Sequence, residues 1–353
     1  MSSNATHSAD VVVIGGGQAG LAAGYYLRRS GLDFVILDDN PNPGGSWQHY
    51  WQSLTLFSPA EYSSLPGWPM PPYPNGFPPA THVVDYLTRY EHRYQLPIQR
   101  PVTVTEVTRT DHGFHVHTDA CDWDARRVIN ATGSWRQPFW PLYPGITDFR
   151  GRQLHTVDYR SPEPFAGQRV AVVGGGNSAA QIVADLTGVA DTLWCTPRPP
   201  RYLPDDVDGR VLFTVATDHA AAIAAGRPSD GGVAGLGDIV AVPSVRAARD
   251  RGQLTAHPMF THLTASGVVV DGVEEQVDAI IWCTGFRPAL RHLHGLVRTQ
   301  DGHYPVVDNH LVDDPATMFL GYGDWTGPAS ATLIGVGRTA RALLAPPRRR
   351  REG

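Results

Sequence analysis

An apolar strand pattern that runs into three glycines and then into a helix occurs twice in this chain of 353 residues, and no other feature restricts its fold as tightly. The first copy is DVVVIGGGQAGLAAGYYLRRSGLDFVILDD, residues 10–39. It reads as strand, Gly-rich turn, a helix with Leu21, Tyr25 and Leu27 on helical spacing, and a second strand over Phe34 to Leu37. Gly15, Gly17 and Gly20 form GxGxxG: the first permits the tight turn, the second lets backbone approach a pyrophosphate, and the third allows close helix packing. Gln18 and Ala19, inside the motif, open the helix whose free N–H groups face that phosphate. Asp38 ends the second strand, where its carboxylate is expected to accept hydrogen bonds from ribose hydroxyls.

The second copy, QRVAVVGGGNSAAQIVADL, carries Gly174 and Gly176, with Ala179 at the third position, where one methyl still fits. Asn177 and Ser178 open its helix. The following strand, DTLWCTPRPPR, ends without an acid and offers Thr196, Arg198 and Arg201, which favours a 2'-phosphate and hence NADPH over NADH, although the same arginines would also serve as loop residues. Two dinucleotide sites in one chain imply that one cofactor delivers a hydride and the other accepts it, and the natural pair is NADPH with a tightly held flavin, FAD.

Length and a 42% hydrophobic content suit about two domains with substantial cores. A formal charge of -5 supplies no basic footprint for nucleic acid or an anionic membrane, so a small molecule is the expected partner. The opening MSSNATHSAD has no basic and apolar signal pattern, and no stretch approaches the roughly 18 apolar residues of a spanning helix, so a cytoplasmic location is expected. Cys121, Cys195 and Cys283 are scattered, which argues against a disulfide framework, a zinc ribbon and a redox dithiol.

Between the repeats, residues 41–79 are rich in Pro, Gly and Trp and too irregular for regular elements, and Thr81 is expected to cap a helix carrying Val84, Leu87 and Tyr90. VTVTEVTR and GFHVHTD alternate as an antiparallel ribbon should, and RRVINATG reads as a buried strand reaching a turn. Residues 205–250 are ambiguous. VDAIIWCTGFRP returns to strand and turn, and the segment from ATMFLGYGDW onward reads as a strand, a Gly-rich loop and a closing helix. The expected architecture is α/β, with two Rossmann-like dinucleotide-binding domains and the NADPH domain inserted into a discontinuous FAD domain. The expected boundaries are 10–150 and 286–345 for FAD and 151–285 for NADPH, with flexible tails at 1–9 and 346–353.

One further segment, FRGRQLHTVDYR at residues 149–160, sets Phe149, Gly151, His155 and Tyr159 in the spacing F-x-G-x-x-x-H-x-x-x-Y. With it the chain resembles the class B flavin-containing monooxygenases, whose signature has those residues in register and Arg160 after the aromatic. GGSW (Gly44 to Trp47), NATG (Asn130 to Gly133) and WCTGF (Trp282 to Phe286) are similar to landmarks of the same family. The similarity runs from about residue 10 to residue 345, and LTLFSPAEYSSLPGWPMP and FLGYGDWTGPASATLIGVGR look closest to a compact bacterial subgroup associated with arsenic-resistance genes.

The resemblance implies that Gly45, Ser46, Trp47, Thr132, Gly133, Thr284, Gly285 and Gly323 lie at the cofactors. Asp324 would bond the ribityl or pyrophosphate region, or else serve as a cap or loop residue. It also implies the reaction: NADPH reduces the flavin, O2 adds at C4a, and the hydroperoxide passes its distal oxygen to a soft nucleophile, sulfur or nitrogen. Related Baeyer-Villiger enzymes usually have Trp at the last aromatic, so Tyr159 favours heteroatom oxygenation over ketone oxidation. His155 is expected to gate and position NADP+ in a segment linking the domains, in preference to acting as a general base. Trp47, Phe57, Tyr62 and Trp68 are candidates for a wall that keeps water out.

The chain departs from the family where an Asn commonly stands beside the flavin. Here Phe57 is followed by Ser58, which would replace that amide weakly, so an NADPH oxidase releasing H2O2 stays open, as does Baeyer-Villiger oxygenation. Outside the oxygenase class, a disulfide reductase is disfavoured by the missing dithiol, and a non-catalytic nucleotide sensor remains. A hydrolase is disfavoured because Ser178 lacks the glycines of a G-x-S-x-G elbow. His112, His115 and His117 stand close together, but no carboxylate or cysteine pattern completes a tetrahedral set, so no metal is expected. A homodimer is compatible with the sequence, and the substrate is not legible in it.

Overall fold

Both Gly-rich repeats fold as strand, turn and helix in the computed structural model, which describes residues 6–225, 227, 237–300 and 302–344. The chain divides into two units. The first comprises Met1–Gln48, Pro59–Arg136 and Pro288–Gly353, and the second His49–Ser58 and Gln137–Arg287. The architecture is mixed α/β, with two Rossmann-like units and the bulk of the second inserted in the chain between pieces of the first. Residues 137–150 and 49–58, expected within the first domain, group with the second unit.

In the first unit, β1 (Thr6–Ile14) leads into α1 (Gln18–Leu27), and β2 (Phe34–Leu37) returns parallel to β1 with Val11 opposite Phe34. Val11 to Ile14 are all buried, as the strand of a parallel sheet covered on both faces requires. The sheet continues outward from β2 to β3 (Ile98–Gln99), and from β1 through β6 (Asp122–Asn130) and β17 (Asp314–Phe319) to the short β16 (His310–Leu311) and β15 (Val306–Val307). The expected ribbon is present as β4 (Val104–Thr110) and β5 (Gly113–Thr118), antiparallel to each other. β5 pairs with residues 123–125 of β6 and β17 with residues 128–130, so the two strands share one edge of β6. Residues 6–9, expected in a flexible tail, are instead part of β1, because Thr6 to Ala9 pair with Asp122 to Ala125. The expected tail at 346–353 lies outside the described residues.

The expected helix after the irregular segment is α2 (Ala80–Tyr94), but Thr81 does not cap it: the helix starts one residue earlier with Pro79 at the cap and no side-chain bond there. Its buried face of Val83, Tyr86, Leu87, Tyr90 and Tyr94 recurs at helical spacing. Two of those tyrosines satisfy the irregular loop's backbone. The Tyr86 hydroxyl accepts from Leu65 N (2.8 Å) and donates to Trp68 O (2.7 Å), and the Tyr90 hydroxyl donates to Pro66 O (2.6 Å). A Pro-rich segment without ladder partners is thereby held by side chains. The closing helix α6 (Leu333–Leu344) lies in this unit as well.

In the second unit five parallel strands stand in the order β10 (Ala256–Pro258), β9 (Asp191–Thr196), β8 (Arg169–Val173), β14 (Ala279–Trp282), β7 (Arg152–His155). The repeat supplies β8, α3 (Asn177–Leu186) and β9. The ambiguous region contains α4 (Gly209–Ala224) and α5 (Pro243–Asp250), and residues 228–236 of it lie outside the described residues. A small antiparallel sheet of β11 (His262–Leu263), β12 (Gly267–Val270) and β13 (Val273–Gln276) packs its Leu263, Val268 and Val270 into a core with Phe149, Ala171 and Trp282. Among the described residues no helix is long and apolar enough to cross a membrane.

Arg100 ties three elements of the first unit together. Its Nε bonds Asp38 at the end of β2 (2.7 Å), and its Nη atoms bond both carboxylate oxygens of Glu91 on α2 (3.1 and 2.9 Å), with only 11% of the side chain exposed. Removing the guanidinium would strand two buried carboxylates, so Arg100→Ala should destabilise the unit by about 3–5 kcal/mol in denaturant unfolding. Arg89→Ala, which breaks an exposed pair with Asp85, should cost less than about 1 kcal/mol. Equal effects of the two would show that the Arg100 network does not organise the fold.

Candidate functional site

The first candidate site forms where β1 ends. Gly17 is the N-cap of α1, no side chain caps it, and the first turn holds no acid, so the leading amides and the positive end of the helix are open to an anion. A Cβ on Gly20 would lie 1.9 Å from Gly15 O, so the helix root sits flush on the turn, as the spacing predicts. The GGSW segment forms a 3-10 turn at Gly45–His49, and a Cβ on Gly45 would lie 2.7 Å from the Gly17 Cα. Two backbones therefore meet without side chains between them. Gln18 secures both sides of this cradle: its Oε1 accepts from Trp47 Nε1 (3.0 Å) and its Nε2 donates to Ala331 O (2.7 Å). Ala19 is buried, and Ser46 lies in the same turn as Gly45 and Trp47.

Asp38 is 2% exposed, and its carboxylate sits under the turn: a Cβ on Gly16 would be 2.7 Å from Oδ2. It already accepts from Arg100 Nε and from Asn40 Nδ2 (3.0 Å), so its observed work is to link the turn to Arg100. Thr132 and Gly133 follow β6. Thr132 N donates to the Tyr322 hydroxyl (3.1 Å) and Thr132 Oγ1 to Ala289 O (2.8 Å), while Gly133 O accepts from Ala289 N. Gly323 caps the turn Asp324–Thr326, whose shape is held by buried Thr326 and Ser330; the Asp324 side chain itself is exposed. Sequence reasoning missed Arg100, Tyr322 and His292. His292 Nε2 donates to Asn130 Oδ1 (2.7 Å), Asn130 Nδ2 donates to Met318 O, and burial pushes the His292 pKa down to about 4, so the imidazole is neutral.

The second candidate site repeats the design in the other unit. Gly174 lies where a Cβ would meet Cys283 O at 2.3 Å, and Gly176 is the uncapped N-cap of α3, again with no acid in the first turn. Ser178 lies in that turn and Ala179 is buried beneath it. Asn177 Oδ1 accepts from Val240 N (2.8 Å), which fastens the segment before α5 to the start of α3. Thr196 is buried at the end of β9 beside Gly175. No acid ends the strand itself, but the Asp238 carboxylate reaches the two arginines that follow it from elsewhere in the chain. That group pairs with Arg198 (3.2 Å) and Arg201 (2.9 Å), and its pKa is held low chiefly by the Arg201 hydrogen bond. Arg198 remains 67% exposed.

The 149–160 signature belongs wholly to this unit. A Cβ on Gly151 would lie 2.4 Å from the Phe149 ring and 2.5 Å from Asp278 O, so glycine lets the aromatic fold across the strand. β7 then runs beside β14 to His155, which is fully buried and caps a 3-10 turn at Thr156–Asp158. Its Nδ1 accepts from Val157 N (3.4 Å), which places the ring proton on Nε2. That nitrogen is buried and has no partner of full hydrogen-bond geometry among the described residues, although the Gly285 backbone is near enough to pull on its proton. Burial lowers the His155 pKa against the opposing pull of Gly285, which keeps the ring neutral. Trp140 and Phe286 flank it. Thr284 Oγ1 donates to Phe139 O (2.6 Å), and Phe139 N donates to Gly285 O, so the WCTGF turn is stitched to residues 137–140. Tyr159 is fully buried and donates to Asp185 Oδ2 on α3 (2.7 Å), which anchors the signature to the nucleotide helix.

Phe57 and Ser58 also fall in the second unit. Phe57 O accepts from Gly209 N (2.8 Å), and a Cβ on Gly209 would lie 2.6 Å from Ser58, so both are packed on the start of α4. Of the four aromatics expected to form a wall, Phe57 belongs to the second unit and Trp47, Tyr62 and Trp68 to the first. Trp47 is clamped by Gln18, Tyr62 is partly exposed, Trp68 packs on Tyr86 of α2, and Phe57 sits at α4.

The sequence pattern of the pyridine nucleotide-disulphide oxidoreductase family matches residues 12–192, more than half of the chain. The chain belongs to that family. It is 49% identical to a flavin-containing monooxygenase from Stenotrophomonas maltophilia of known structure, with a TM-score of 0.87 and coverage of 96% of this chain and 97% of that one. It is 30% identical to an uncharacterized CzcO-like oxidoreductase of Geobacillus kaustophilus, over 96% of this chain and 98% of that protein. It is 25% identical to the senecionine N-oxygenase of Tyria jacobaeae, over 90% of this chain and 68% of the longer protein. The chain is thus an oxidoreductase of the flavoprotein monooxygenase class, and its cofactors are FAD and NADPH.

The residues fit both cofactors: each unit offers an uncapped, acid-free helix end behind a Gly-rich turn. Gly176 separates folding from binding. A Cβ there would meet nothing within 4 Å and its φ of -110° suits any residue, so Gly176→Ala should leave thermal stability and FAD content unchanged. If the glycine is there for backbone approach to a pyrophosphate, the NADPH KM should rise by roughly tenfold or more, about 1.4 kcal/mol of lost binding. An unchanged KM would remove α3 from the NADPH site.

Proposed function

We propose that the chain uses NADPH and O2 to transfer one oxygen atom to a soft nucleophile, the sulfur or nitrogen of a small molecule. The observation that carries this reading is the signature strap, in which Tyr159 is bonded to α3 and His155 presents a buried, neutral imidazole whose Nε2–H has no partner of full hydrogen-bond geometry among the described residues. Gly15, Gly17, Gln18, Ala19, Gly20, Asp38, Gly45, Ser46, Trp47, Thr132, Gly133, Gly323 and Asp324 would hold FAD. Gly174, Gly176, Asn177, Ser178, Ala179, Thr196, Arg198, Thr284 and Gly285 would hold NADPH. When bound, the flavin supplies the chemistry, accepting hydride from NADPH and activating O2.

The chain's own groups bind, orient and exclude water. The amides at the starts of α1 and α3 neutralise pyrophosphate charge without a mobile side chain. Arg198 supplies a fork for a 2'-phosphate, sharing it with Asp238. His155, with Nδ1 committed to Val157 N, has only a donor to offer, at Nε2, and acts as a positioning residue with no proton to accept. Ser58 and Phe57 would sit at the substrate side with the start of α4. The residues argue against a disulfide reductase, because the two cysteines of the nucleotide unit flank Val173 on neighbouring strands: Gly174 N bonds Cys195 O, and Cys283 N bonds Val173 O. Two strand spacings, roughly 10 Å, keep their Cα atoms beyond disulfide reach.

The test is turnover under 18O2 with NADPH and a thioether or tertiary amine. Incorporation of a single 18O into a sulfoxide or N-oxide is expected. Stoichiometric H2O2 with no oxygenated product, for every substrate tried, would convert the assignment to an NADPH oxidase. His155→Ala should slow anaerobic flavin reduction by about ten- to a hundredfold or raise the H2O2 formed per NADPH, with FAD content retained. Unchanged reduction and coupling would reject the positioning role.

A further inference from the structure

The ribbon histidines acquire carboxylate partners once the strand register is known. Strand alternation puts His115 and His117 on one face of β5, while Phe114 and Val116 go into the core. Antiparallel pairing sets His115 opposite Asp124 of β6, and one step along that register brings His117 to Asp122. The result is a group in which a nitrogen of His115, a nitrogen of His117 and an oxygen of Asp122 all lie within 4.8 Å of one another. Asp122 Oδ2 is 3.3 Å from His115 Nε2 and 3.5 Å from His117 Nδ1. For metal–ligand bonds near 2.0–2.1 Å, the edge of a coordination tetrahedron is about 3.3 Å. The expectation that no carboxylate completes the histidine set is therefore corrected.

We propose that His115, His117 and Asp122 form a surface site for a borderline divalent transition-metal ion, of which Zn2+ is the type, with water in the fourth position. Two imidazoles and a carboxylate are the donors such an ion selects, whereas Ca2+ and Mg2+ call for oxygen-only sets. The groups behind the ligands are arranged for this. His115 Nδ1 donates to Asp124 Oδ1 at 2.6 Å, which leaves Nε2 as the ligating atom in the carboxylate–histidine–metal pattern. Asp122 Oδ1 accepts from Thr118 N (3.0 Å), which fixes the carboxylate while Oδ2 faces the imidazoles. The side chains are partly buried, at 25%, 38% and 20% exposed, so an ion could enter from solvent without the ligands being free to swing away. Bound there, the ion would pin β5 to β6 at the edge of the first unit's sheet, away from the reaction chemistry.

The experiment is calorimetric titration of untagged, FAD-loaded protein with Zn2+ at pH 8, together with the thermal midpoint with and without Zn2+. One equivalent is expected to bind and to raise the midpoint, and excess Mg2+ should not compete. Asp122→Asn should weaken binding at least tenfold, and Asp124→Asn, which touches no metal, by roughly ten- to a hundredfold. His112→Asn, at the ribbon's turn and outside the group, should leave binding as it is. No saturable Zn2+ binding, or binding that survives both aspartate changes in variants with full FAD content, would leave these residues as a hydrogen-bonded ion-pair cluster and overturn the proposal.

Discussion

Each of the two nucleotide units depends on a helix whose first amides receive no side-chain cap among the described residues. An exposed or half-buried helix end without a cap normally costs stability, and Ser, Thr, Asp or Asn at the N-cap would remedy it. Here both N-caps are glycine, Gly17 and Gly176, with no acid in the turn that follows. A polar side chain at either position would compete with an anionic ligand for the same donors. Neighbouring segments are fastened to the two helix starts, through Gln18 bridging Trp47 and Ala331 at α1, and Asn177 bonding Val240 at α3.

The two ends are held by different means. At α1 the support is ionic: Asp38, Arg100 and Glu91 join the second strand, α2 and the adjoining edge strand in one partly buried network. At α3 the support is the signature strap, where Phe149 folds over Gly151, His155 caps a turn and Tyr159 reaches Asp185 on the helix itself. The spacing of that segment has a physical reason beyond family likeness. Three residues separate an edge strand's last paired position, His155, from the tyrosine that reaches the helix, and the capped turn they form sets the distance. His155 is neutral, and its Nε2–H is among the buried side-chain donors with no partner of full hydrogen-bond geometry among the described residues.

What the sequence made legible is what lies within one supersecondary unit. Both βαβ repeats, the ribbon and the closing helix follow from periodicity and Gly-rich turns, because those signals are local. Contacts between distant segments were not legible. Asp238 meets Arg198 and Arg201 from some forty residues away, Arg100 meets Asp38 across an intervening helix, and Tyr322 meets Thr132 across most of the chain. Thr81 misled because the cap rule is statistical and Pro79 already set the entry; residues 6–9 misled because polar strands at a sheet's outer end resemble a tail. The histidine group needed only the hairpin register, which the sequence implies but does not state. Phe57 and Ser58 were placed by family alignment, and their packing on α4 follows from Gly209, a residue that alignment did not involve.

The central claim is that one nucleotide-binding design, used twice, brings a hydride donor and a hydride acceptor into a single chain. Anaerobic titration of the purified protein with NADPH, followed through the visible absorption of bound flavin, tests it directly. The account predicts a yellow protein whose flavin bleaches completely with a single equivalent of NADPH. A protein that binds no FAD, or whose bound flavin stays oxidised under excess NADPH, would contradict it.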